Sequence, residues 1–242
     1  MRRKIVISDI HGCYDEFVSL LDIINYEPEQ DQLILLGDYC DRGFKSRQVI
    51  EKLIEMKNKY NMIILRGNHD QMFIDYLSNS NEQLFLINGG FFTIESYIGT
   101  NWFENGYDYN LSQETKKFIT LHYRHHLEFL ESTEYYYEDE NFIYVHAGID
   151  PNVSNWRDQS HDQFLWIRNS FLNQPTNLNK LVIFGHTPAF HLHNSPDIWF
   201  GKDKIGIDGG CVYGYQLNCL EISNEGFKEY HIKKGVSVIG KN

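Results

Sequence analysis

The chain has 242 residues, 42% of them hydrophobic and 23% charged, and a formal net charge of −11 at pH 7. This length and balance fit an ordinary globular protein with one sizeable core. The acidic excess argues against a general surface for nucleic-acid duplexes or anionic membranes, and any bound phosphate must find positive charge locally, on arginines or metal.

Apolar runs are short. Met1-Arg2-Arg3-Lys4 is followed only by Ile5-Val6-Ile7, which is not the apolar core of a signal peptide. No run approaches a membrane span. Cys13, Cys40, Cys211 and Cys219 are scattered and form no CxxC pair. They read as free thiols of a cytoplasmic protein.

In chain order, Lys4 to Ser8 predicts a short buried strand. Asp15 to Asn25 predicts a helix, with Phe17, Leu20, Leu21 and Ile24 on one face. Leu33 to Leu36 is a second buried strand, and Ser46 to Tyr60 a helix carrying Val49, Ile50, Leu53, Ile54 and Met56 on its apolar side. Met62 to Leu65 is the third strand. Alternation of apolar strands with helices argues for an α/β sheet covered on both faces. Residues 71–131 read as a helical, aromatic-rich cap or insert. Glu134 to Glu138 and Asn141 to His146 predict a hairpin across Asp139-Glu140. Short strands follow at Leu181 to Phe184, Lys204 to Asp208, Gln216 to Ile222 and Phe227 to Lys233. No linker or repeat interrupts them, so residues 1–242 read as a single domain.

Five strand ends carry polar segments beside a glycine: SDIHG, GDYCDRG, RGNHD, VHAG and FGHTP. In α/β sheets, such loops gather outside the carboxyl ends of the strands. Together they bring Asp9, His11, Asp38, Asn68, His146 and His186, an oxygen and imidazole set with no thiolate, which suits borderline divalent ions such as Mn, Fe or Zn. Six ligands are too many for one catalytic ion that keeps an open position. They suit two ions sharing a carboxylate, the arrangement that clamps an in-line displacement.

In this order the motifs resemble those of the calcineurin-like metallophosphoesterases, and more narrowly the phosphoprotein-phosphatase branch with its bacterial and phage serine/threonine phosphatases. IDGGCVYG at 207–214 extends the likeness. The bacterial enzymes that cut diadenosine tetraphosphate symmetrically share most of the pattern. The resemblance implies a four-layer αββα sandwich of two mixed sheets flanked by helices. It implies that Asp9 and His11 hold a first ion, that Asp38 bridges, and that Asn68, His146 and His186 hold a second. It implies attack by a hydroxide between the ions, with His69 as general acid oriented by Asp41. Arg42, Arg66 and Arg168 would bind the phosphate. The implied cofactors are two divalent transition-metal ions, Mn first, with Fe, Zn, Co or Ni as alternatives. The implied substrate is a phosphoserine or phosphothreonine protein, or alternatively a dinucleoside tetraphosphate. A relative kept only as a binding module would have lost a ligand or the proton donor, and all are present.

Several departures and decoys bear on that reading. Ser8 stands where many relatives have glycine, and Asp70 where the eukaryotic phosphatases have glutamate. Asp41 leans toward the protein phosphatases, and Thr187-Pro188 after His186 argues against the phosphodiesterase pattern with a second histidine. His122 and His126 share a helix face without the HExxH glutamate. His191 and His193 read as loop histidines. Phe85, Phe91, Phe92, Tyr97 and Trp102 read as the core of the cap, and Glu138-Asp139-Glu140 as a solvated hairpin tip.

Overall fold

A computed structural model describes residues 2–99 and 104–236. Trp102 lies outside the described residues. β1 (Lys4–Ile7) explains the layering. All four of its residues are buried, and successive side chains of a strand point to opposite faces. Ile5 and Ile7 enter one apolar core, and Val6 enters another. A strand buried on both faces must lie inside a stack.

The first sheet has the order β10-β9-β1-β2-β3, where β2 is Gln32–Leu35, β3 Ile63–Ile64, β9 Gln216–Ser223 and β10 Gly226–Lys233. β1, β2 and β3 are parallel, and β9 and β10 antiparallel. The second sheet has the order β4-β5-β6-β8-β7, where β4 is Tyr136–Glu138, β5 Phe142–Val145, β6 Leu181–Phe184, β7 Trp199–Phe200 and β8 Lys204–Gly206. Here β5, β6 and β8 are parallel, and β4 and β7 antiparallel at the edges. Val6, Ile34, Leu36 and Leu220 of the first sheet pack against Phe142, Tyr144, Ile183 and Ile205 of the second. Each such side chain contributes about 1.5–3 kcal/mol by leaving water.

Helices cover the outer faces. α1 (Tyr14–Ile23) and α2 (Ser46–Lys57) pack on the first sheet with Phe17, Leu20, Val49, Ile50 and Leu53 inward. The middle segment folds as α3 (Asn68–Leu77), α4 (Glu82–Phe85), α5 (Phe91–Ile98), α6 (Tyr109–His122) and α7 (Arg124–Glu131). It joins the same core through Phe73, Phe85, Ile94, Tyr97, Ile119 and Phe129. α8 (His161–Trp166) and α9 (Asn169–Asn173) cover the second sheet through Phe164 and Phe171. The result is the αββα sandwich of two mixed sheets.

Some expectations shift. The helical middle starts at Asn68, because the third strand turns directly into α3. Phe85 and Tyr97 are buried as expected, whereas Phe91 and Phe92 are half-buried. The hairpin tip is paired rather than simply solvated: Lys4 Nζ reaches Asp139 Oδ2 at 2.5 Å, and Lys180 Nζ reaches Glu138 Oε1 at 2.8 Å. His122 is exposed while His126 is buried between Tyr97 and Glu51, so the two do not form a ligand pair. His191 and His193 lie in a short helix, α10 (Phe190–His193), not in a loop.

Candidate active site

Every polar motif follows the carboxyl end of a parallel strand: β1, β2 and β3 in one sheet, β5, β6 and β8 in the other. The chain turns there by left-handed backbone. Asp9, His11, Asp38, Asp41, Arg42 and His186 have φ of 53°, 44°, 59°, 71°, 67° and 62°. The other described non-glycine residues with positive φ are all asparagines, the residue that tolerates this region best. Holding a side chain there costs about 1–3 kcal/mol per residue and persists only where neighbours over-determine it. Here they do. His11 N donates to Asp38 O at 2.8 Å, Asp9 N to Gly37 O at 3.1 Å and Gly185 N to His146 O at 2.8 Å. The glycine of RGNHD is required by close approach: a Cβ on Gly67 would collide with Asp38 Oδ1.

The buried carboxylate of Asp38 divides between two groups of histidines. Its Oδ2 is 3.3 Å from His11 Nε2, and its Oδ1 is 3.5 Å from His146 Nε2. Asn68 Oδ1 lies 2.9 Å from both His146 Nε2 and His186 Nδ1. Asp9 faces the same space, accepting His186 N at 3.0–3.1 Å and the Ser8 hydroxyl. Two backbone carbonyls fix the imidazoles: His11 Nδ1 meets Cys40 O at 2.7 Å, and His146 Nδ1 meets Leu36 O at 2.9 Å. A ring donating from Nδ1 turns the Nε2 lone pair inward, as a metal-ligating histidine requires. Potential ligand atoms of Asp38, His11 and His69 gather within 4.8 Å of one another, as do those of Asp38, His146 and His186. Asp38 belongs to both groups. Burial, then the neighbouring Asp9, pushes the Asp38 carboxyl well above its ordinary range. Burial likewise holds His11 and His186 well below theirs, with His69 adding to the first and His146 to the second. Crowded carboxylates beside neutral imidazoles are the charge pattern that divalent cations balance. The residues present fit two ions.

Around this set lie the other predicted residues. His69 Nδ1 is 2.7 Å from Asp41 Oδ2, both fully buried. This leaves Nε2 of His69 for the cavity that His69 lines. Arg42 Nη1 donates to His11 Nε2 at 2.9 Å and its guanidinium lies over the Tyr213 ring. Arg168 Nε donates to His186 Nε2 at 2.9 Å. Both arginines line a cavity of about 500 Å³ with Asp38, Asn68 and His69.

Arg66 does not join them. Its Nε bonds Thr133 Oγ1 at 3.1 Å, its Nη1 bonds Gln71 Oε1 and Tyr135 OH, and its Nη2 bonds the carbonyls of Leu130, Glu131 and Thr133. With every nitrogen engaged and the guanidinium stacked on Tyr135, Arg66 ties the turn after β3 to the end of α7. The structure does not bring Arg66 to the cavity that Arg42 and Arg168 line. Asp70 is also a tie: it accepts Asp38 N, Tyr39 N and Gly67 N at 2.8–2.9 Å, joining two motif loops. Asp208 and His191 line the cavity as well; in the sequence the first has no assigned role and the second reads as a loop residue. Asp208 had a signal like that of the others, an aspartate in a glycine-bearing segment at a strand end. His191 had none, since its place depends on α10.

The sequence model of the calcineurin-like phosphoesterases matches residues 3–219. The chain belongs to that family, whose members are metal-dependent phosphoesterases. It is 28% identical to serine/threonine-protein phosphatase 1 of Salmonella typhimurium, over 90% of both chains. It is 25% identical to the asymmetrical bis(5'-nucleosyl)-tetraphosphatase PrpE of Anoxybacillus flavithermus, over 89% of this chain and 88% of that one. The crystal structure of a candidate diadenosine tetraphosphatase shares the fold with a TM-score of 0.67 at 19% identity, over 96% of this chain and 94% of that one.

Proposed function

We propose that this phosphoesterase is a dinuclear metal-dependent phosphomonoester hydrolase acting on phosphoserine and phosphothreonine of proteins, with manganese as its working ion and the cytoplasm as its compartment. The observation that carries the reading is the division of Asp38 between the His11 side and the His146 side, with the second group completed by Asn68 and His186. Asp9, His11, Asp38, Asn68, His146 and His186 would hold the metal. Bound metal ions supply a water activated at neutral pH and a Lewis acid for the phosphoryl oxygens.

The chain's own groups do the rest. Arg42 and Arg168 leave their histidine partners for the phosphate oxygens, which a guanidinium fork fits better than an ammonium does. His69 donates its Nε2 proton to the leaving oxygen, while Asp41 holds Nδ1 and so fixes the ring.

A second reading is cleavage of dinucleoside tetraphosphates. One feature favours it: the cavity mouth is lined by Trp166, Phe190, Tyr213 and Tyr215, with Phe190 and Tyr215 stacked at 4.6 Å, and aromatic faces stack bases. The manganese-loaded protein should be given a phosphoserine peptide, a phosphotyrosine peptide and diadenosine tetraphosphate. The highest specificity constant on the phosphoserine peptide is expected. A higher value on the tetraphosphate would replace the first reading by the second.

A further inference from the structure

The middle helices contribute an unexpected contact to the acid–base pair. Thr93, on α5, is fully buried. Buried threonines and serines in helices usually return their hydroxyl to a carbonyl of the preceding turn, as Ser96 does on the same helix by donating to Thr93 O at 2.6 Å. Thr93 does not. Its hydroxyl donates to Asp41 Oδ1 at 2.6 Å and accepts from Asp41 N at 2.7 Å. One hydroxyl thus holds a single residue by both its backbone and its carboxylate. The other oxygen, Oδ2, is the one that meets His69 Nδ1. The same segment holds the next residue too, because Arg42 N donates to Gly89 O at 3.1 Å. Asp41 and Arg42 are consecutive left-handed residues, a conformation that needs such external support.

We propose that Thr93 is a positioning residue for proton donation. Its hydroxyl occupies Oδ1 of Asp41 and aims Oδ2 at His69, so that the Nε2 proton of His69 stays directed at the leaving oxygen. As a hydroxide oxygen bonds to phosphorus and the bond from phosphorus to the leaving oxygen breaks, the leaving oxygen keeps that bond's electron pair and takes the Nε2 proton of the doubly protonated His69 ring. The Nδ1 proton stays in its bond to Asp41. This rests on reading His69 as the general acid.

The test compares two leaving groups. A phosphoserine peptide expels an alkoxide that must be protonated, whereas p-nitrophenyl phosphate expels a stable phenolate that needs little help. In Thr93→Val, kcat on the peptide should fall about tenfold to a hundredfold, the scale of a small misplacement of a catalytic group. On p-nitrophenyl phosphate it should change by less than about threefold. Thr93→Ser keeps the hydroxyl and should restore the wild-type ratio. If the valine variant does not fold, Thr93→Ala reads the same ratio. Equal losses on both substrates, or none, would overturn the positioning role. His69→Asn is measured alongside. If it spares p-nitrophenyl phosphate while the Thr93 variants do not, only the positioning inference fails. If it hits both substrates equally, the general-acid reading fails and this inference with it.

Discussion

His69 and Arg66 share one turn, and tertiary partners send them to different tasks. Asp41 turns His69 into the cavity, and Thr133, Tyr135 and three carbonyls pull Arg66 away from it. The variants should separate accordingly. His69→Asn should lower turnover by about 10²–10⁴, the usual share of a general acid, with metal content by elemental analysis unchanged. Arg66→Ala should leave the inhibition constant for inorganic phosphate unchanged. It should lower stability by about 2–4 kcal/mol in denaturant titration, because it strands several buried carbonyls. The six candidate ligands stand out in the chain because each is an Asp, Asn or His in a short glycine-bearing segment at a strand end. The direction of Arg66 could not be read, since it depends on residues far along the chain. Thr93 left no sequence signal at all.

Among the elements, β1, β2, α1 and α2 appear within about three residues of where their apolar patterns place them. Consecutive apolar residues in a strand, and a 3.6-residue period in a helix, survive tertiary context best when both faces or one stripe are buried. The edge strand β7 is only Trp199–Phe200, too short to leave a pattern. The start of β1 is fixed by charge rather than by apolar burial. Arg3 grips Asp31 just before β2, with contacts at 2.7 and 2.5 Å. Burial raises the Asp31 carboxyl, but Arg3 and the Glu27 N–H outweigh it, and the net shift is downward. A depressed carboxylate stabilises the fold above its unfolded pKa, and that stability disappears as pH falls through the folded value. Denaturant midpoints measured from pH 7 to pH 3 should therefore fall more steeply in the wild type than in Asp31→Asn below about pH 4. At pH 7 the variant should already be the less stable protein.

Across the whole molecule, the candidate ligands come from both sheets: Asp9, His11, Asp38 and Asn68 from one side, and His146 and His186 from the other. Ions held there bind only when the two sheets are packed, and native-state binding raises stability by mass action. Dialysis against a chelator should lower the calorimetric melting temperature by about 5–10 °C, and manganese should restore it. An unchanged melting temperature would argue that the ligands do not span the sheets in solution.

The left-handed turns at Asp9, His11, Asp38, Asp41, Arg42 and His186 also bear on engineering. A library screened for heat resistance alone would drift toward glycine at these positions, because glycine adopts that backbone freely. Such selection would return tougher protein with its chemistry erased. Any campaign to harden this scaffold must therefore score turnover in every round.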